Sequence, residues 1–150
     1  MGPKSKITEN QQYTSAIELE KEKRYSEAVK IYESIVSGNP LNIDAHNRLM
    51  VLYRKLKDSA KELRTINRAV KAYQQKIESD QKLWIKSNRE KAELSKQLAS
   101  SLGMLNEKGQ PAYENETLSK WKVRLSRLKE RMAKAKLKTK RPIKKAVRKK

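Results

Sequence analysis

Apolar residues recur at steps of three and four along most of the chain, and the places where that rhythm stops divide it into helices. Over 9–22, Tyr13, Ala16 and Ile17 share one side, with Leu19 beside them. After a polar turn at 21–24, Tyr25, Ala28, Val29, Tyr32, Ile35 and Val36 repeat the pattern more strongly. Gly38-Asn39-Pro40 predicts a stop, because glycine permits a left-handed residue and proline forbids continuation. A third helix over 42–56 carries Ala45, Leu49, Leu52, Tyr53 and Leu56, and Asp58 or Ser59 is placed to cap the helix that follows.

Residues 59–102 hold neither proline nor glycine and predict one long helix, about 65 Å from end to end. Its stripe runs Leu63, Ile66, Val70, Tyr73, Ile77, is interrupted at Asp80, Ser87 and Lys91, and resumes at Leu94 and Leu98. One small globule cannot cover such a length, so two partners must cover its ends. Ser79-Asp80 is the pair most able to break it. After a loop at 103–110, Pro111 can open a last helix with the stripe Leu118, Trp121, Leu125, Leu128, Met132 and Ala135, and Glu114 and Glu116 lie near its positive end. Two stripes joined by a short loop predict an antiparallel hairpin in which Trp121 and Leu125 meet Leu98 and Leu94 and Met132 approaches Trp84. Pro142 should end this helix. The expected chain is all-α: a disordered start at 1–8, a module of helix pairs at 9–76, the long-helix continuation and hairpin at 77–138, and a disordered basic tail at 139–150.

Composition agrees with helices, since there is no phenylalanine and only four glycines in 150 residues. The absence of cysteine excludes disulfides, thiolate metal sites and a cysteine nucleophile. No apolar run approaches the roughly 18 residues of a membrane span, residues 1–6 do not lead into a signal-peptide core, and Lys6 stands where a myristoylation motif needs Ser or Thr; the expected location is cytoplasmic, without membrane contact. No enzyme constellation is visible. His46 has neither cysteine nor a spaced carboxylate pair beside it, which argues for a packing or surface residue rather than a metal ligand. Glu18, Glu20 and Glu22 suit a solvated face, and no glycine loop could cradle a phosphate. Neither catalysis nor a cofactor nor a metal is expected.

Ala16, Leu19, Tyr25, Ala28, Tyr32 and Pro40 have the spacing of a tetratricopeptide repeat, and Ala45, Leu49, Tyr53, Leu63, Ile66 and Ala69 supply a second one after a shift of 34. Residues 9–76 thus resemble two such repeats. The chain departs from the pattern at Gln12 and Ser15, at Glu62, which stands where a small residue is usual, and in lacking the closing proline of the second repeat. The resemblance implies a concave face lined by the first helix of each pair, with Asn10, Tyr13, Ile17, Glu20 and Lys21 from one repeat and Asp44, Asn47, Val51, Arg54 and Lys55 from the other. Of these, Asn10, Tyr13, Ile17, Asn47, Val51, Arg54 and Lys55 are the expected contacts to a protein partner. The clamp that binds chaperone tails in this family wants Lys and Asn where this chain has Tyr13 and Ile17, which argues against that ligand.

The net charge of +20 is concentrated at one end: residues 117–150 carry 16 basic groups and one acid. On the last helix Arg124, Arg127, Arg131, Lys134 and Lys138 recur at three and four as a positive ridge, and the tail adds Lys140, Arg141, Lys144, Lys145, Arg148, Lys149 and Lys150. Such a cluster neutralises phosphates by counterion release and needs no base readout. The expected function is therefore a non-enzymatic scaffold that binds a protein through the helix pairs and RNA or DNA through the basic end, within a ribonucleoprotein particle. The alternative is a purely protein-binding adaptor or structural subunit of a large assembly.

Overall fold

The computed structural model describes residues 3–105 and 115–148, with side chains at 6–105 and 115–139. The connection that carries Pro111 and Glu114 lies outside the described residues, as do Lys149 and Lys150. The fold is all-helical: α1 (Pro3–Lys21), α2 (Tyr25–Gly38), α3 (Ile43–Lys55), α4 (Ser59–Ser87), α5 (Arg89–Ser101) and α6 (Glu116–Arg148). Packing follows chain order from α1 to α4, and α6 then returns onto α4.

The turns within the two helix pairs are built alike. Lys23 and, 34 positions later, Lys57 adopt left-handed backbones, at φ 61° and 57°. At the first, Arg24 N donates to Leu19 O and Lys23 N to Glu20 O; at the second, Asp58 N donates to Tyr53 O and Lys57 N to Arg54 O, all at 2.9–3.1 Å. Both close their helix by the same pair of reversed hydrogen bonds, which satisfy carbonyls that the helix leaves free. The same shift pairs buried residues: Ala16 with Met50, Ala28 with Glu62, Tyr32 with Ile66, and Ile35 with Ala69. Asn42 and Asp58 cap α3 and α4, their side chains accepting from Ala45 N at 3.0 Å and Lys61 N at 3.1 Å.

Several expected boundaries move. α1 starts at Pro3, where a missing N–H costs a helix nothing, so 3–8 are helical. α2 stops where expected, but without a left-handed glycine: Asn39 closes it at φ −139°, and its amide donates to Glu9 Oε1 at 3.1 Å. The 59–102 stretch is two helices, and the break is at Asn88 rather than at Ser79-Asp80, where Asp80 instead pairs with Lys76 at 2.9 Å. Asn88 donates its side-chain amide to Trp84 O at 3.0 Å, a carbonyl that its own backbone N–H already uses, and a local amide that competes for helix carbonyls favours an interruption. α6 continues through Pro142 to Arg148, so the helix does not end before the tail.

The largest difference is the antiparallel partner of α6. Trp121 packs edge-to-face on Tyr73 with ring centroids 5.1 Å apart, not on Leu98, while Arg124 and Arg131 reach back to Glu62. As α6 advances from 121 to 131, its neighbours on α4 recede from 73 to 62, so the two run antiparallel. Leu94 and Leu98 stay 66% and 62% exposed, and Met132 joins the α4 cluster with Leu63 and Val70 instead of approaching Trp84. The reason is the length of the apolar stripe. Leu63, Ile66, Val70, Tyr73 and Ile77 join Leu118, Trp121, Leu125, Leu128 and Met132, taken in the opposite direction, in one cluster, whereas α5 offers two leucines.

Candidate functional site: a basic cleft between α3 and α6

Docking of α6 on α4 also lays it beside α3. The seam is made by Trp121, which is buried, donates its indole N–H to Asn47 Oδ1 at 2.8 Å and stacks edge-on to His46 at 5.9 Å. His46 is a packing residue, fully buried. Its Nε2 lies 2.7 Å from Pro40 O, an acceptor only, so Nε2 carries the proton and Nδ1 is left without a partner. Burial pushes the imidazole below its ordinary pKa, against a smaller upward push from the Pro40 carbonyl.

Beside that seam lies a cleft of about 760 Å³, walled by Asn47 and Arg54 of α3 and by Lys120, Trp121, Arg124, Arg127 and Arg131 of α6. No acid lines it. Two carboxylates pair with that lining: Glu116 meets Lys120 at 2.7 Å, and Glu62 of α4, 1% exposed, turns its Oε1 toward Arg124 Nε at 3.8 Å and Arg131 Nη2 at 3.5 Å. The two Glu62 distances are ion-pair contacts without a hydrogen bond, and both Glu62 Oε1 and Arg124 Nε are buried without a hydrogen-bonding partner. Burial lowers the pKa of Arg124; Glu62 raises it, and Arg54 and Arg131 lower it further as like charges close by. Two guanidinium groups of α6 thus share one carboxylate of α4.

The residues expected to contact a protein do not form one open groove. Asn10 is exposed near the start of α1, and Ile17 and Val51 are half-buried. Tyr13 stands edge-on to Tyr32 at 5.7 Å, its pKa raised by burial and then by Asp44. Asn47 is engaged by Trp121, Lys55 lies 4.9 Å over the Tyr25 ring, and Arg54 faces the basic cleft. Glu20 is tied up as well: Tyr32 donates its hydroxyl to Glu20 at 2.7 Å, and Arg48 forks onto the same carboxylate. Burial alone would raise the Glu20 pKa, but the hydrogen bonds from Arg48 and Tyr32 outweigh it and hold the group below its ordinary value. Burial, and after it the Glu20 carboxylate, push Tyr32 well above the ordinary tyrosine range.

On the expected basic ridge, Arg124, Arg127 and Arg131 lie against the body, while Lys134 and Lys138 are exposed beyond the last packed residue, Met132. The side chains of Lys140, Arg141, Lys144, Lys145 and Arg148 lie outside the described ones. Sequence reasoning missed the role of Glu62, although its signal was present: a carboxylate on an apolar helix face where a small residue is usual.

Among the described residues, no three or more His, Cys, Asp or Glu side chains gather so as to hold a metal ion. No helix among them is long and apolar enough to cross a membrane. No family model, curated protein or solved structure matches the chain, so function is read from the chemistry of the site itself.

Proposed function

We propose that this chain is a non-enzymatic scaffold of the cytoplasm, with tetratricopeptide-like helix pairs that contact a protein and a basic carboxyl-terminal end that binds RNA or DNA within a ribonucleoprotein particle. The observation that carries the nucleic-acid part is the one-signed surface of α6, where Arg124, Arg127, Arg131, Lys134 and Lys138 follow one another at helical spacing with one acid, Glu130, from 117 to 150. The helix-pair part is supported by the two left-handed lysines 34 residues apart and by buried residues that pair at the same shift. α6 lies against α3 and narrows the groove at Asn47, so the protein-contacting surface is confined to the α1 side, around Asn10, Tyr13 and Ile17.

The adaptor reading is favoured by a different feature. Leu83, Trp84, Leu94, Leu98, Leu102 and Met104 are all about half exposed or more along the end of α4, α5 and the residues just past it, and exposed apolar side chains in such number mark a protein contact. Affinity purification with and without nuclease separates the two. Loss of partners after nuclease supports the ribonucleoprotein scaffold; full retention puts the adaptor first.

A further inference from the structure

We infer that the cleft between α3 and α6 is a phosphate-binding site for a nucleic-acid backbone, gripped by Arg54 from α3 together with Arg124 and Arg127 from α6. The inference rests on the proposal that the basic end binds nucleic acid, and it places the first contacts inside the folded body rather than in the tail. It also moves Arg54 from a peptide groove to a phosphate surface.

Arg54 and Arg124 are 70 residues apart in the chain, and only the docking of α6 brings them to one cleft. Four arginines, Arg54, Arg124, Arg127 and Arg131, meet there with Lys120; Lys120 pairs with Glu116, and Arg124 and Arg131 share Glu62, so five basic groups against two acids leave +3 uncompensated. Among the described residues, neither Arg54 nor Arg127 pairs with an acid. Arg124 is held only loosely by its own carboxylate, since its buried Nε stands 3.8 Å from Glu62 Oε1 and forms no hydrogen bond with it. Gathering like charges costs folding energy, and a bound anion removes that cost. A guanidinium presents a planar fork that matches two phosphate oxygens, which an ammonium cannot do.

The choice of a nucleic-acid backbone over an acidic peptide follows from what continues out of the cleft. From Arg124 to Lys138 the basic positions of α6 extend about 21 Å at 1.5 Å per residue, which suits a uniform polyanion. A peptide would need apolar anchor pockets along its path, and from Arg124 to Lys138 the large apolar side chain left exposed is Leu137 alone, at 62%.

The test uses the full chain with Trp84→Phe, which leaves Trp121 in the cleft wall as the single indole reporter. A 20-base-pair RNA duplex and polyglutamate of equal charge are titrated separately at several salt concentrations. The duplex should shift Trp121 emission. Arg54→Gln should weaken duplex binding about five- to tenfold and lower the log-log salt slope by roughly 0.9, the loss of one phosphate contact. Lys30→Gln, an exposed change of equal charge on α2, should leave the slope unchanged. If Arg54→Gln behaves like Lys30→Gln and Trp121 stays silent while deletion of 139–150 abolishes binding, the cleft is not the site and the tail-anchored nucleic-acid proposal stands. Polyglutamate binding as tight as the duplex, or no binding of either polymer, overturns the cleft and the nucleic-acid proposal together.

Discussion

Glu62 is the residue on which the docking of α6 turns, and Glu62→Gln tests it at nearly constant volume. The substitution removes the one carboxylate that faces Arg124 and Arg131 and leaves two guanidiniums beside a neutral amide. Breaking a buried ion pair by deleting one partner costs about 3–5 kcal/mol when both charges are sealed from water. Here the side chain of Glu62 is 2% exposed but that of Arg131 is 43% exposed, so Arg131 can swing into solvent and recover its hydration. Arg124, at 27%, cannot do so fully. The discounted cost is about 2 kcal/mol, which should appear as a lower midpoint in urea unfolding followed by circular dichroism. The slope of the transition should be unchanged. Glu62→Met with Arg124→Met should recover much of the loss, because the apolar pair has no charge to desolvate. A Glu62→Gln protein within about 0.5 kcal/mol of the parent, with Trp121 emission unmoved, would refute the view that this cluster holds α6 in place.

Trp121→Phe removes the 2.8 Å donation to Asn47 and part of the contact with Tyr73, and should cost about 2 kcal/mol in the same assay, with α1 to α3 still protected in hydrogen exchange. The pKa of His46 is lower in the folded protein than in the unfolded chain, so below about pH 6.5 the unfolded chain binds the extra proton; thermal stability should be complete above that pH and decline as pH falls, and His46→Leu should flatten the decline between pH 7 and 5. Lys57→Gly relieves a left-handed side-chain residue at φ 57° and should be neutral to stabilising by about 1 kcal/mol, with Lys23→Gly behaving alike; a loss of stability in both would show that their side chains matter more than their backbones.

The stripes of α2, α3 and the first half of α4 were legible because each is a local repeat of three and four that fixes which face is buried. So were the cap at Asp58 and the turn after Lys21, where backbone groups at helix ends demand local partners. The break at Asn88 was harder to see, because one amide competing for one carbonyl leaves no mark on hydrophobic periodicity. Pro142 misled in the opposite direction: an interior proline opposes a helix by a missing N–H and a steric clash, yet α6 runs through it to Arg148.

What the sequence by itself determined is the helical class, the position of most helices and the sign of the charge at the carboxyl-terminal end, all set by residues near one another in the chain. What only the tertiary structure decided is which stripe α6 covers. Periodicity states that a face must be buried but not against what, and α4 won over α5 by the length of its apolar stripe and by the Glu62 contact with Arg124 and Arg131. The convergence of Arg54 with Arg124 and Arg127 follows from that choice alone. Residues so distant in sequence become one site only when two helices pack, and no local pattern records their meeting.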